Sequence, residues 1–560
     1  MRATPFTEFP SSKPAIHVPN WALILLFIAY ALPGNLGHAP WRGDDALHIG
    51  VAYSMLREGN WLIPQIAGVP YFDWPPLLHW LGALSGSLLG WLLPLHDAIR
   101  LGGVIALTLL LVFLRFAARE LYGREAASAA AMLALGSLGL LIHAHEMQPQ
   151  VLVAASLAAT IYGLAHMRTA PFRGALIAGT ASGAAFLAGG LPGLALCLPL
   201  WAILPATEAE CRSRAFLFAY RHAIWPLALL LLLWPLALSV WQADYLAIWW
   251  GRELAAISPH AGHLQRAGAV SNLIGWFTWP LWPVVLWSLW HRRGRILAFG
   301  HALPLTAALL ALTLVVTTGA MRPANVVPLL PALILMAAGE LCRLRRGAAN
   351  AFDWFGLITF SLLGIALWLS WSALNFGWPV PLSRNVLRLL PGFQPSWHWH
   401  ELLLAALLSV GWIVAILRIP FFQLRGAVHW ALGVTLSWGL ATTLWLNWFD
   451  YDKNYRPIAN EISRQIRHYG NGCVASLDAG DAQRAALYYF TDIKLETGSA
   501  ARSRCSLLLA YSTGKRSLPE AGPAWENVWQ TQRGRGRLLE RFGLYRKQLP
   551  QSAQADQAAR

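Results

Sequence analysis

Residues 41–80, WRGDDALHIGVAYSMLREGNWLIPQIAGVPYFDWPPLLHW, decide the fold of this chain. The stretch lies between apolar segments, in a chain with only 27 acidic residues among 560. Nevertheless it contains a dense set of ionisable side chains, namely Asp44, Asp45, His48, Glu58, Asp73 and His79. Beside a bilayer, such a stretch is either a solvated loop between membrane helices or a functional site. Its order favours the site: an acidic pair, an amphipathic helical run and a Gly-Asn-Trp stop.

The overall composition indicates a membrane protein. The chain is 56% hydrophobic and 12% charged and contains 30 Trp, which excludes a soluble globular protein. Its formal charge of +16 comes mostly from Arg and Lys in short loops between apolar segments. That distribution is typical of positive-inside topology rather than of nucleic-acid binding. Residues 1–20 are polar and show no cleavage pattern, so we expect the first helix to remain as an anchor.

About thirteen apolar runs approach the ~20 residues that a bilayer requires. They cover residues 21–37, 98–118, 125–142, 150–167, 174–189, 191–205, 223–241, 271–290, 301–319, 324–342, 354–374, 402–418 and 427–448. The run 77–95 would add one more and invert everything after it. If 77–95 stays at or re-enters the outer interface, the arginine-rich loops all fall on the cytoplasmic side with the N-terminus. We therefore predict a multi-pass protein of the bacterial inner membrane with a periplasmic C-terminus.

From residue 449 the composition becomes that of a soluble domain. Helices are predicted over 457–469 and 481–490, strands over 473–477 and 506–511, and a closing pair over 525–532 and 538–546. The prediction is a membrane domain (1–448), a small periplasmic α/β domain (449–550) and a disordered tail (551–560). Cys473 and Cys505 begin two predicted strands in an oxidising compartment, which predicts a disulfide, with two buried thiols as the alternative.

The first loop resembles that of the GT-C membrane glycosyltransferases, in the branch that contains lipid A aminoarabinose transferase and relatives of protein O-mannosyltransferases. Matching residues are Asp44-Asp45, Met55-Leu56, Gly59-Asn60-Trp61 and GVPYFDWPPL at 68–77. The likeness is specific over these forty residues and looser through about residue 450. It implies a GT-C fold of about 13 transmembrane helices with a first periplasmic loop at 38–97. It also implies transfer of a hexose or pentose from a polyprenyl-phosphate donor.

The resemblance also implies catalytic carboxylates. Asp44 corresponds to the family's catalytic acid, Asp45 stands beside it, and Glu146 in HAHEMQPQ corresponds to the acid of the second outer loop. Such carboxylates accept a proton from an attacking hydroxyl, position an acceptor or hold a divalent metal. The competing interpretation of Glu146 is a helix-end carboxylate facing water.

Phosphate recognition is where this chain departs from the family. The family has lysines at the positions of Trp74, Gly189 and Met321, so the anion site must be built differently here. We predict that Arg252 and Arg322 bind the donor phosphate. The candidates that support the loop are Asp73, Tyr71, Trp61 and Trp74, and the resemblance suggests a divalent metal on Asp73 and His263. The alternative is that those two residues bind no ion, and no other cofactor is expected.

The predicted function is transfer of a sugar, with an amino sugar as one option, from polyprenyl phosphate to a phosphate of lipid A. One alternative is transfer to protein hydroxyls, and another is a lipid or solute transporter. Transporters show internal repeats and ionisable residues at mid-membrane, and neither is clear here. The expected partners are the bilayer, the lipid-linked sugar and the acceptor, with no nucleic acid, and the chain is predicted to be a monomer.

The topology makes a testable prediction. Reporter fusions after Arg119, Arg293 and Arg346 should report cytoplasm, and fusions after His263 and Gly480 should report periplasm, because the arginine-rich loops remain inside. A periplasmic signal at Arg119 would reject the arrangement.

Overall fold

A computed structural model describes residues 18–258, 267–317, 322–390, 392–470, 472–498 and 502–548. Its larger part is helical. In chain order the helices of this part are α1 (Asn20–Ala31), α2 (Asp44–Glu58), α3 (Leu77–Leu89), α4 (Leu95–Tyr122), α5 (Arg124–Leu135), α6 (Leu138–His143), α7 (Pro149–His166), α8 (Pro171–Cys197), α9 (Ile203–Thr207), α10 (Arg214–Trp241), α11 (Ala243–Ile257), α12 (Ala267–Phe277), α13 (Leu281–His291), α14 (Phe299–Thr317), α15 (Leu330–Leu341), α16 (Arg346–Phe376), α17 (Val380–Leu389), α18 (Trp399–Arg418), α19 (Arg425–Leu444) and α20 (Leu446–Lys453). A short hairpin of β1 (Gln65–Ile66) and β2 (Val69–Pro70) lies in the first loop.

Across the described ranges, eight helical segments are long and apolar enough to cross a bilayer. They are α4, α7, α8 with α9, most of α10, α14, Pro323–Leu341, α16 and α18. The protein is therefore a polytopic helical membrane protein. The other predicted runs fall on shorter, interrupted or more polar helices. One of these is α1, which has 12 residues, begins one residue before the predicted run 21–37 and ends two residues before Pro33.

The Gly189–Gly193 turn reverses the chain within the segment from α8 to α9. Gly190 has φ 61° and ψ −148°, outside the helical region. A Cβ on Gly193 would collide with the Ala185 carbonyl oxygen, and Trp201 Nε1 donates to Ser182 Oγ at 3.1 Å. A straight helix would hold these two pairs about 12 and 28 Å apart. Residues 171–207 therefore form a helical hairpin.

Helix α3 is too short to cross a bilayer. Its 13 residues extend about 20 Å, against a hydrocarbon core of about 30 Å. One face, including His79 and Gly82, is buried, while Leu84 and Leu88 are exposed. This agrees with the prediction that 77–95 lies outside the set of spanning helices.

A buried ion cluster joins the start of α2 to α4. Arg100 has no exposed surface and donates from Nε and Nη2 to the two oxygens of Asp45, at 3.1 and 3.0 Å. Its Nη1 donates to Asp97 Oδ1 at 2.9 Å and to the Asn35 carbonyl at 3.0 Å. Burial alone would raise the pKa of Asp45, but the Arg100 charge and hydrogen bonds hold it below its ordinary value. The first loop is thus held to the membrane helices by a compensated charge cluster.

The C-terminal part is a five-stranded mixed sheet with two helices. Its elements are α21 (Arg456–Tyr469), β3 (Val474–Leu477), α22 (Asp481–Thr491), β4 (Leu495–Thr497), β5 (Leu507–Thr513), β6 (Trp525–Arg533) and β7 (Glu540–Lys547). The strand order is β4-β3-β5-β7-β6, with β3 parallel to β4 and β5, and β7 antiparallel to β5 and β6. The predicted boundary at 449 lies inside α20. The predicted disulfide joins Cys473 to Cys505, whose Cα atoms are 5.0 Å apart.

Helix α22 packs directly on α2. Gly50 of α2 approaches Ala485 so closely that a Cβ on this glycine would collide with the alanine methyl group. At the edge of this contact, Tyr53 Oη donates to Asp492 at 2.9 Å and Lys494 pairs with Glu58 at 3.0 Å. Helix α2 therefore lies between the membrane helices and the C-terminal sheet.

The ion cluster makes a stability prediction. Replacing Arg100 with Met leaves two buried carboxylates without their counter-charge, so the free energy of unfolding should fall by about 3–5 kcal/mol. The matched control on the same helix is the exposed Arg119, whose change to Met should cost about 0.5 kcal/mol or less. Thermal unfolding in detergent measures both, and equal melting temperatures for the two variants would contradict the role of the cluster.

Candidate active site

The two acidic residues at the start of α2 lie in different environments. Asp45 is 1% exposed and bound by Arg100, whereas Asp44 is half-buried and faces the loop between α6 and α7. There Gln148 Nε2 donates to Asp44 Oδ2 and to Glu146 Oε2, at 3.2 Å each. The N-terminus of α2 stabilises a negative charge on Asp44. Two of the three predicted catalytic carboxylates thus meet at one amide, and the third, Asp45, is directed into the ion cluster.

The pKa of Glu146 is shifted towards neutral pH. Burial raises the pKa of Glu146 to about 7, and the charges of Asp45 and Asp44 add to the rise. A hydrogen bond from Gln148 and the charge of Lys453 act in the opposite direction. A carboxyl group whose pKa is raised to about 7, next to a second carboxylate, is typical of acid–base sites.

Two neutral histidines lie behind the carboxylates. His48 Nδ1 and His79 Nε2 are 3.0 Å apart, so one ring donates to the other. Burial lowers the pKa of His48 to about 3 and that of His79 well below its ordinary value. The Tyr71 ring stands edge-on to His79, and the Tyr71 carbonyl accepts from Tyr245 Oη at 2.8 Å. Tyr71 is 3% exposed, so it forms part of the wall.

The predicted phosphate-binding arginines occupy different environments. Arg252 donates from Nη1 to Asp73 Oδ1 at 2.9 Å and lies over the Phe72 ring. Both charged groups of this pair are more than half exposed. Arg322 is exposed at the start of a 3-10 turn, and its charge acts on both His48 and Tyr71, which places it on the side of the site.

The described residues do not favour the predicted metal site. Asp73 is neutralised by Arg252, and His263 lies outside the described residues. Within the described ranges, three potential ligands converge at Cys473, Glu496 and Cys505, but the two sulfur atoms are joined in the disulfide. The surroundings of Asp73 therefore suit a guanidinium rather than a metal ion.

The two predicted tryptophans border the first loop. Trp61 is 38% exposed, and its carbonyl accepts from Trp80 Nε1 at 2.7 Å. Trp74 is half-buried against the membrane core. Trp61 is therefore the ring more accessible to a ligand.

The Gly189–Gly193 turn carries a carboxylate on the side where the family has lysine. Glu253 of α11 is 5% exposed and accepts from the backbone N–H of Leu191 at 2.6 Å. Burial raises the pKa of Glu253 to about 7, and the hydrogen bond opposes this rise. Glu253 thus holds the turn closed.

Three residues around the candidate site escaped the sequence reasoning. Arg100 had a usable signal, since it is a single charge before the fourteen uncharged residues 101–114 of an apolar helix. Gln148 and Lys453 had none, because their importance depends on which segments meet in space.

Comparisons with known proteins agree with the geometry of the site. No protein-family model matches the chain. An undecaprenyl phosphate-α-4-amino-4-deoxy-L-arabinose arabinosyl transferase of Pseudomonas aeruginosa (strain UCBPP-PA14) is 29% identical over 444 residues, 76% of this chain and 75% of the relative. The transferase of that name from Edwardsiella ictaluri is 26% identical over 370 residues, 62% of this chain and 64% of the relative.

Solved structures establish the fold. The crystal structure of ArnT from Cupriavidus metallidurans bound to undecaprenyl phosphate has a TM-score of 0.64, at 17% identity, over 94% of this chain and 98% of that one. The apo form has a TM-score of 0.60, at 19% identity, over 85% and 86%. The resemblance predicted from the first loop is confirmed. This chain is a polytopic membrane protein with the GT-C fold, and bacterial aminoarabinose arabinosyl transferases are its relatives.

Proposed function

We propose that this protein is a glycosyltransferase that moves an amino sugar from a polyprenyl phosphate to a phosphate of lipid A. The observation that carries the proposal is the meeting of Asp44, Gln148 and Glu146 at the N-terminus of α2. Within the described part of the chain, Asp44 forms no ion pair, so its carboxylate is available to a substrate. The sequence relatives of the chain, by their names, act with the same class of donor and sugar.

The chemistry assigns distinct roles to the two carboxylates. Asp44 orients the acceptor oxygen, which forms a bond to the anomeric carbon. When the acceptor oxygen carries a proton, Asp44 accepts that proton. Glu146, with its raised pKa, holds a proton beside it and prevents two full negative charges from facing each other. An ammonium group on the sugar is electrostatically complementary to this pocket, which favours an amino sugar.

The departing phosphate needs positive charge as the glycosidic bond breaks and its electron pair moves to the phosphate oxygen. Arg322 is exposed beside the site, and Arg252 can turn from Asp73 to an anion, because that ion pair is solvent-exposed and therefore weak. These two arginines remain the proposed donor-phosphate residues. Asp73, Tyr71, Trp61 and Trp74 are proposed to shape the pocket without contributing a proton.

The setting of the reaction follows from the proposed topology. About thirteen passes would place the first loop and the C-terminal sheet at the periplasmic face of the inner membrane, with the N-terminus in the cytoplasm. In the proposal the protein acts as a monomer. A metal on Asp73 and His263 would have to displace Arg252, and no step above depends on one.

Asp44→Asn tests the central role. Asn preserves size but removes charge and proton affinity, so sugar transfer should fall by about a hundredfold or more while the melting temperature stays unchanged. Asp45→Asn is the matched control: it weakens the Arg100 cluster, so it should lower the melting temperature first. Mass spectrometry of lipid A and of periplasmic glycoproteins, at equal membrane abundance, measures transfer. Full modification of lipid A by Asp44→Asn would contradict the proposal, and sugar found only on proteins would change the acceptor.

Glu146→Gln tests the raised pKa. The folded protein holds the Glu146 proton more tightly than the unfolded chain, so the stability of the native protein should fall as the pH rises from 4.5 to about 7. The Gln variant should lose this part of the pH dependence. Thermal unfolding at pH 5, 6 and 7 measures it, with the exposed Glu520→Gln as control. Parallel curves for wild type and Glu146→Gln would show an ordinary carboxyl.

A further inference from the structure

Positive charge is scarce at the candidate site. Neutral residues stand at Trp74 and Gly189, where the family has lysine, and Arg252 is already paired with Asp73. Glu253 adds a carboxylate at the turn that holds Gly189. A donor phosphate entering this pocket therefore meets only Arg322 and an Arg252 that must first leave Asp73, so a further cation is needed.

Lys453, at the end of α20, lies against two aromatic rings, one of which belongs to Trp41 at the start of the first loop. Its Nζ is 4.5 Å from the centre of the Trp41 ring and 5.8 Å from that of Phe449. The backbone N–H of Trp41 donates to Asp45 Oδ2 at 3.1 Å, so Lys453 stands over the residue that opens the catalytic loop. Its charge also acts on Glu146. Among the described residues its ammonium has no ion pair and no hydrogen-bond acceptor, which leaves its three donors for a ligand.

The backbone around Lys453 is fixed from both sides. Arg42 donates its backbone N–H to the Lys453 carbonyl at 3.0 Å and pairs with Asp452 at 2.8 Å. From the C-terminal sheet, Arg533 donates to the Asn454 carbonyl at 2.8 Å. Trp41 Nε1 donates to Asp450 at 3.1 Å. The segment 450–454 is therefore a rigid support for a side chain directed at the first loop.

We propose that Lys453 binds the phosphate of the lipid-linked donor and supplies the positive charge that the replaced family lysines do not. The inference deepens the proposed function, on which it rests. As the bond between the anomeric carbon and the phosphate oxygen breaks, the electron pair moves to that oxygen, and the ammonium stabilises the charge by direct contact. The residue reaches the site from the segment that leads into the C-terminal sheet.

Binding of undecaprenyl phosphate to the purified full-length protein tests the inference. Lys453→Met keeps an unbranched side chain over Trp41 but removes the charge, so affinity should fall by about tenfold or more. Lys453→Arg should retain most of the affinity. The control is Lys515→Met, which removes the same charge from an exposed turn and should bind like wild type. Melting temperatures establish that each variant is folded, and Lys453→Gln replaces the Met variant if the latter is not.

The outcomes separate the inference from the proposed function. Three results would each overturn the role of Lys453. They are wild-type affinity in Lys453→Met, equal weakening of binding in the Met and Arg variants, and no binding of undecaprenyl phosphate by the wild type. Failure of the wild type to modify lipid A in cells would overturn the proposed acceptor. If binding still depends on the Lys453 charge in that case, the donor-phosphate contact stands without that acceptor.

Discussion

The buried contact between Arg100 and Asp45 is the interaction on which the site depends. A guanidinium with no exposed surface is costly to desolvate, and it is tolerated here because two carboxylates and backbone carbonyls accept from it. The contact sets the rotation and depth of α2 against α4. Since neighbouring residues on a helix point about 100° apart, fixing Asp45 inward turns Asp44 towards the α6–α7 loop. Asp45 thus positions Asp44, and the ion cluster decides where the proposed base lies.

The C-terminal sheet takes part in building the same site. Helix α22 lies against α2 at the Gly50–Ala485 contact, and His96 beside the ion cluster hydrogen-bonds Tyr489 Oη at 2.9 Å. Arg533 of the sheet holds the segment that carries Lys453. Helix α2 is therefore buried on one side by membrane helices and on the other by a soluble fold. These contacts hold the first loop in place from both sides.

Charge around the site is distributed by burial. The histidine pair behind the carboxylates is kept neutral by desolvation, so it adds no positive charge to compensate Asp44. The same cause raises the pKa of Glu146 to about 7. The pocket therefore combines the available carboxylate of Asp44, the Glu146 carboxyl group with its raised pKa and a few cations on its border. That balance is the electrostatic basis of the proposed substrate, which has an anionic phosphate at one end and an amino sugar at the other.

Sequence alone was sufficient for the membrane class, the first-loop motif and the disulfide. Each rests on a local pattern, because apolar length, a contiguous motif and cysteines at strand starts are properties of short segments. Asp44 and Glu146 were accessible through the motif, but not their shared contact with Gln148. Three other features depend on tertiary contacts between segments up to about four hundred residues apart. They are the burial of Asp45 on Arg100, the pairing of Asp73 with Arg252 and the position of Lys453 near the first loop. The sequence determines which side chains are charged. The partners of those side chains and their exposure to solvent depend on how distant helices pack.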